Sequence, residues 1–318
     1  MCGVAGFIGK SKDLSKTKAL VTDLFDKTQV RGTDASGYYC ITENNNIFYK
    51  KQPGPSNLLI DTDDYQSIWE SDVVSGIFHC RAASIGVGEP ANNINNHPFV
   101  SSDRKKAVIH NGLISASEYK TLSENYTLES KCDSEVILRI LEEQKDEIVN
   151  FKKFFKSTKE SFFAVVYSCL DGNQKKLFLT RNRHRPLFFI DLVDEIGQIF
   201  FFSTLEILTH SIWNLRMRGI IFNNMSRIYS LKPYELIKFS FDSEKGLSTK
   251  WYFAKEEMPP QNKGFLENKL EELLRLFKRT RNNLTQKEIS GIFSQEAKLS
   301  ISVRLDEIKE KLNSISLE

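Results

Sequence analysis

The opening nine residues constrain this chain more than any other stretch: Met1-Cys2-Gly3-Val4-Ala5-Gly6-Phe7-Ile8-Gly9. Val4, Phe7 and Ile8, set among Gly3, Gly6 and Gly9, read as a short buried strand that holds the start of the chain. Cys2 stands at its outer end, one cleavage from becoming the mature N-terminus. Cysteine is small enough for methionine aminopeptidases to remove Met1 ahead of it. The product would carry a thiol and a free α-amine on one carbon. A free cysteine titrates near ~8.5 and an α-amine near ~7.7–8.0, so one residue would supply both nucleophile and general base. Taken alone, Cys2 also reads as an incidental cysteine.

Composition sets outer bounds. A chain of 318 residues, 40% hydrophobic and 27% charged, suits one large or two modest domains with ample core. Lys and Arg number 44 against 41 acids, a net charge of +3, so no strong field and no nucleic-acid partner are indicated. No apolar run reaches the ~18 residues of a membrane span, and no secretory signal opens the sequence. Cys2, Cys40, Cys80, Cys132 and Cys169 are scattered and form no CxxC pair, so zinc and redox motifs lack support. A reducing cytoplasm is the expected location, with no metal and no cofactor.

Periodicity supplies the elements. Leu20, Leu24 and Phe25 predict an amphipathic helix over 13–28. Strands are predicted around 37–41, 47–51, 73–79, 106–110, 162–169, 176–180, 187–190 and 198–203. Asp171-Gly172-Asn173 is a hairpin turn. Residues 92–97, rich in asparagine, read as a surface loop. Ser115 with Glu118 forms a capping box for a helix over 116–124, and Asp133 is placed to cap a helix through Val136, Ile137, Ile140 and Leu141. Such a set argues for stacked antiparallel sheets covered by helices.

Four further segments give Cys2 a context: Arg31-Gly32-Thr33-Asp34-Ala35-Ser36-Gly37, His79-Cys80-Arg81, His110-Asn111-Gly112 and Cys132-Asp133-Ser134-Glu135-Val136-Ile137. With Met1-Cys2-Gly3, in this order and at these separations, they resemble the class II glutamine amidotransferase domain, one of the N-terminal nucleophile hydrolases. The run from Leu179 to Phe189, Phe202–Leu208, and Leu231-Lys232-Pro233 followed by Trp251-Tyr252 are similar to the glutaminase domain of asparagine synthetase. The resemblance covers about 1–254. It implies an α+β fold, a four-layer α/β/β/α sandwich of antiparallel sheets.

The resemblance also implies roles. Cys2 would attack the side-chain amide of L-glutamine. The Asn111 side chain and the Gly112 N–H would donate to the oxyanion. Asparagine is a neutral donor, and glycine permits close approach. Alternatively, Asn111-Gly112 is a type I′ hairpin turn. Arg81 would grip the substrate carboxylate and Asp133 its ammonium. The blander readings are a surface ion pair for Arg81 and a plain helix cap for Asp133. Ser84 offers a hydroxyl to the bound amino acid, although the Ala82–Gly86 run departs from that of glucosamine-6-phosphate synthases. Leu113 likewise departs from asparagine synthetases, which usually carry Glu after Asn-Gly. Arg31, Gly32 and Asp34 would lie against the nucleophile, with Gly32 in an unusual backbone angle. His79, His97 and His110 are expected to pack rather than to catalyse, since the α-amine is the base.

Residues 255–318 form a different region. Leu266, Leu270, Leu273, Leu274 and Phe277 fall at helical spacing, as do Ile301, Leu305, Ile308 and Leu312, so a helical extension is predicted. Ile289-Ser290-Gly291-Ile292-Phe293-Ser294-Gln295 stands where asparagine synthetases carry a pyrophosphate-gripping loop, but lacks its second glycine and aspartate. The expectation is a glutaminase that supplies ammonia to a synthetase acting in trans, with the helices as docking surface or as core. A non-catalytic binding or regulatory protein of glutaminase-like fold, or an N-terminal cysteine amidohydrolase for another amide, are the alternatives.

Overall fold

The computed structural model describes residues 2–83, 88–214, 220 and 224–253. The C-terminal helices expected over 264–280 and 297–315, the division at 254/255 and Ser84 lie outside the described residues.

Two antiparallel sheets carry the fold. The first is built from β1 (Gly3–Ile8), β2 (Ala35–Thr42), β3 (Ile47–Pro53), β4 (Val73–Arg81), β9 (Phe188–Leu192), β10 (Gln198–Phe202) and β11 (Ile228–Ser230), in the order β11-β9-β10-β1-β4-β2-β3. The second contains β5 (Phe99–Val100), β6 (Lys106–Leu113), β7 (Phe162–Asp171), β8 (Gln174–Arg181), β12 (Glu235–Asp242) and β13 (Gly246–Phe253), in the order β13-β12-β8-β7-β6-β5. The predicted strands are all present, most of them one to three residues longer than the apolar runs that announced them.

Strict alternation along the strands makes the layers. In β10, Ile199 and Phe201 face the second sheet, while Phe200 and Phe202 face helices. In β7, Ala164 and Val166 face the first sheet, while Phe163, Val165 and Tyr167 meet the opposite helical layer. The outer cover of the first sheet is α1 (Leu14–Thr28), α2 (Ser56–Ile60), α3 (Asp63–Ile68) and α8 (Leu205–Asn214). That of the second is α4 (Ala116–Ser123), α5 (Glu135–Glu142) and α6 (Glu147–Ser157). A short α7 (Val193–Ile196) links β9 to β10. The result is the α/β/β/α sandwich implied by the sequence. Each large apolar side chain buried this way contributes about 1.5–3 kcal/mol, which is why β1 can be buried on both faces at the centre of its sheet.

Local signals account for the ends of several elements. Asp13 caps α1 by accepting from the Lys16 N–H at 3.1 Å. Ser115 caps α4 through the Glu118 N–H. Gly172, with φ of +57°, and Asn173 turn β7 into β8. Helices α2 and α3, only 5 and 6 residues long, are too short to leave a periodic run, whereas the unpredicted α6 does carry one in Ile148, Phe151, Phe154 and Phe155.

Candidate active site

β1 lies between β10 and β4, and Gly3 pairs with Cys80. Continuing that register by one residue sets Cys2 beside Arg81, where β4 ends. On the other side of β4, Arg81 pairs with Ala35 at the start of β2. The loop before β2 therefore runs against the chain that leaves β4. Arg31 Nε donates to the Cys2 carbonyl at 2.9 Å. The Asp34 N–H donates to the Arg81 carbonyl at 3.0 Å, and Asp34 Oδ2 accepts from the Ala83 N–H at 2.7 Å. The Cys2 thiol donates to the Ala82 carbonyl at 3.6 Å.

Gly32 sits in this seam for a reason other than the unusual angle expected of it. Its φ of 173° is ordinary extended backbone, but a Cβ there would fall 2.4 Å from the Ala82 nitrogen. Close backbone approach, not conformation, demands the glycine.

Arg81 is 3% exposed, so it is no surface ion pair. Nη1 donates to Asn96 Oδ1 and Nη2 to the Gly88 carbonyl, each at 2.8 Å. The loop expected at the surface is only half so: Asn92, Asn93 and Ile94 are exposed, whereas Asn95, Asn96 and His97 are buried.

Asn111 and Gly112 are not a hairpin turn. They lie within β6, paired with Ala164 and Phe163 of β7. Asn111 is completely buried, and neither its Nδ2 nor its Oδ1 has a hydrogen-bond partner. At Gly112 a Cβ would fall 1.8 Å from the Phe162 carbonyl oxygen and 2.4 Å from His110 Nε2. Asn182 holds that edge in place: its Oδ1 accepts from the Phe163 N–H at 3.1 Å and its Nδ2 donates to the Ser161 carbonyl. The neighbouring Arg181, 1% exposed, donates through Nε to the Leu231 carbonyl at 2.6 Å. Asn182 is therefore structural support for the glycine edge, while Arg181 ties the end of β8 to the chain before β12.

Asp133 does not cap α5. The helix begins at Glu135, behind Ser134, and Asp133 is buried in front of it. Its Oδ2 accepts from the Ile114 N–H at 2.7 Å and its Oδ1 from the Ser134 hydroxyl at 3.2 Å. This ties the carboxylate to the strand end that carries Asn111 and Gly112.

Burial pushes the Cys2 thiol above its ordinary range; the Ala82 carbonyl contact and Arg81 work against that, and Asp133 adds to it. Both substrate-anchor candidates are therefore felt at the sulfur. A thiol so placed stays protonated near neutrality and needs a base at the moment of attack.

The histidines form a wall behind these groups. His79 and His97 stack with ring centroids 4.0 Å apart. His79 Nε2 lies 3.0 Å from the His110 carbonyl, and His110 Nδ1 lies 2.9 Å from the Ser134 hydroxyl. Burial pushes His79 down to about 3 and His97 well below its ordinary value. They are neutral packing groups here. Among the described residues, no group of three or more His, Cys, Asp or Glu is arranged to hold a metal ion.

Sequence reasoning missed several contributors. Asn95 and Asn96 looked like loop composition. Ser134 looked like part of a helix start. Arg185 had no partner pattern, yet its guanidinium lies over the Phe162 ring at 5.5 Å and its charge is felt at Cys2 and His110. The only early sign for Arg185 was its place in the Arg181–Phe189 run.

Comparison with known proteins finds similarity at the level of domain and fold. A family profile described as "Glutamine amidotransferase domain" matches residues 83–210, a span that carries Asn111, Gly112 and Asp133. A glutamine–fructose-6-phosphate aminotransferase (isomerizing) of Bacillus thuringiensis subsp. konkukian is 29% identical over 162 residues, 50% of this chain and 25% of that protein. One from Staphylococcus aureus strain Mu50 is 31% identical over 179 residues, 54% of this chain and 26% of its own length. The alignments thus span about a quarter of these relatives. Among solved structures, glutamine phosphoribosylpyrophosphate amidotransferase from B. subtilis, complexed with ADP and GMP, superposes with a TM-score of 0.54 at 16% identity, over 82% of this chain and 50% of that one. A structure described as the allosteric regulatory enzyme of purine biosynthesis also gives 0.54, at 17% identity, over 80% and 50%. At such identities the structural likeness speaks for the fold alone.

Proposed function

We propose that this chain carries a class II glutamine amidotransferase domain of the N-terminal nucleophile hydrolase type, a reading supported by the profile match over 83–210, the aminotransferase relatives and the shared fold, that Cys2, freed by removal of Met1, hydrolyses L-glutamine, and that the ammonia passes to a separate synthetase. The observation that carries this reading is Asn111: a completely buried amide with no partner on either polar atom, next to a glycine that Phe162 forces to remain a glycine. An orphaned buried donor costs about 1–3 kcal/mol. A site retains such a cost where a ligand or a developing charge supplies the missing partner.

The chemistry follows from the residues. The Cys2 sulfur attacks the side-chain amide carbon of glutamine as its proton passes to the Cys2 α-amine. The carbonyl oxygen becomes an oxyanion, which accepts from Asn111 Nδ2 and the Gly112 N–H. Collapse breaks the C–N bond, and the α-ammonium returns its proton to the leaving nitrogen, which departs as ammonia. Water then attacks the thioester carbon, giving glutamate and the free thiol. Arg81 holds the α-carboxylate and Asp133 the α-ammonium, charges that are constant throughout. Ser84 is assigned to the same amino-acid pocket. Arg31 fixes the Cys2 carbonyl, and Gly32 and Asp34 hold the chain after Arg81 against it.

The test is ammonia and glutamate release from L-glutamine by the purified full-length protein, with intact-mass analysis of its N-terminus. Release by wild type starting at Cys2, and none by Cys2→Ala, is expected. Active protein that retains Met1 would refute the N-terminal base. Glutamine binding without release would instead assign a non-catalytic, glutamine-sensing protein.

Among the described residues, no helix is long and apolar enough to cross a membrane. The cytoplasm remains the proposed location, since an unpaired thiol nucleophile needs a reducing compartment. No metal or cofactor enters the scheme.

A further inference from the structure

The loop between Asn92 and Pro98 is polar enough for the surface, yet its centre is interior: Asn95 is 3% exposed and Asn96 is 0% exposed. Each asparagine spends both halves of its amide. Asn96 Oδ1 accepts from Arg81 Nη1 at 2.8 Å, while its Nδ2 donates to the Pro90 carbonyl at 2.8 Å and to Asn93 Oδ1 at 3.2 Å. Its backbone carbonyl accepts from Lys51 Nζ at 2.7 Å. Asn95 Oδ1 accepts from the Lys131 N–H at 2.9 Å, and its Nδ2 donates to the Glu89 carbonyl at 3.0 Å.

The two side chains therefore reach in different directions from adjacent positions. One ends on the guanidinium of Arg81. The other ends on the backbone two residues before Asp133. Asparagine suits both, because each site needs an acceptor and a donor on one neutral group. Aspartate at 96 would keep the acceptor but place a permanent counter-charge on Arg81. An apolar residue at 96 would withdraw the acceptor from the buried Arg81 Nη1 and the donor from the half-buried Pro90 carbonyl.

We propose that Asn96 and Asn95 are positioning residues that set substrate selectivity, Asn96 by orienting Arg81 for the α-carboxylate and Asn95 by fixing the Asp133 loop for the α-ammonium. The inference rests on the reading of Arg81 and Asp133 given above, and it predicts that the two halves of amino-acid recognition can be loosened separately.

The experiment compares three substrates on full-length protein by ammonia release: L-glutamine, 4-aminobutanamide, which lacks the α-carboxylate, and 4-carbamoylbutanoate, which lacks the α-ammonium. Wild type is read first. No release from L-glutamine overturns the functional reading and takes this inference with it. With wild type active, the variants judge the inference alone. Asn96→Asp should raise KM for L-glutamine roughly tenfold with kcat changed less than about threefold. Its kcat/KM for 4-aminobutanamide should stay within about twofold of wild type, so preference for a carboxylate narrows. Asn95→Ala should narrow the preference over 4-carbamoylbutanoate and leave the 4-aminobutanamide ratio alone. A merely structural role would lower all three substrates together at constant ratios, and that result, or no change in KM, overturns the proposal. If thermal melts show that Asn96→Asp is unfolded, Asn96→Ser is read in the same way; it withdraws from Arg81 but keeps a hydroxyl for the Pro90 carbonyl.

Discussion

The two sides of the candidate site are built on opposite principles. On one side, Arg81 is almost fully buried and its guanidinium is already bonded to Asn96 and Gly88. Asp133 is likewise engaged by Ile114 and Ser134. On the other side, Asn111 is buried more completely than either, yet both of its polar atoms are unpartnered. In the proposed reaction, Arg81 and Asp133 meet charges that never change, so their geometry can be fixed in advance. Asn111 meets a charge that exists only briefly, so its donor is kept open. Interactions made only in the transition state raise kcat, whereas uniform binding lowers KM. The structure thus separates candidate binders from a candidate catalyst by how fully their hydrogen bonds are spent.

Mutation should break that contrast in a definite order. Cys2→Ala removes the nucleophile that both sides serve, so glutamine hydrolysis should fall to background, with a melting temperature close to that of wild type. Asn111→Ala comes next. Loss of one oxyanion donor should lower kcat by roughly 10²–10³ with KM little changed. Steady-state kinetics that show weaker binding at constant kcat would remove Asn111 from the oxyanion role. Arg81→Lys and Asp133→Asn should act the other way, raising KM roughly tenfold with kcat within about threefold, because each loses directed contacts to a constant charge. If all four variants lost kcat alone, the division between the two sides would be wrong.

The strands were legible as short continuous apolar runs, as in Ile199–Phe202 of β10 and Phe163–Tyr167 of β7, because both faces of these strands are buried. The site residues drew attention through their order along the chain, and the fold does bring Cys2, Arg31, Asp34 and Arg81 into one seam. What the sequence hid was the support. Asn95 and Asn96 sit in a composition typical of exposed loops, and only the path of the chain past Arg81 and Lys131 turns them inward. Asp133 looked like a helix cap because acids before a helix usually are. The competing demand of the Ile114 N–H, a partner 19 residues away in sequence, cannot be read from local pattern. Gly32 invited a conformational explanation and Gly112 a close approach to ligand, yet in the fold itself a Cβ at either would collide with backbone of a neighbouring segment. Long-range contacts of this kind leave no periodic trace.

The smallest expected effect concerns the wall that joins the two sides. His79 stacks on His97, next to the loop that holds Arg81, and its Nε2 meets the His110 carbonyl, one residue from Asn111. Burial holds His79 at about 3, against about 6.5 for an exposed histidine. Between those values the unfolded chain binds a proton that the folded chain refuses. Stability therefore falls as pH drops from 6.5 towards 3, and this contribution is flat above 6.5. His97, pushed in the same direction by the same burial, steepens the loss. Urea midpoints measured at pH 8, 6.5, 5.5 and 4.5 should stay level over the first step and then decline. His79→Gln keeps a donor for the His110 carbonyl and removes the titrating ring. Its midpoint should start lower at pH 8, from lost stacking, but fall less steeply below 6.5. Parallel slopes in the two proteins would mean that His79 is protonated in the folded state without penalty, and that the wall between the anchor side and the oxyanion side is wetter than its burial implies.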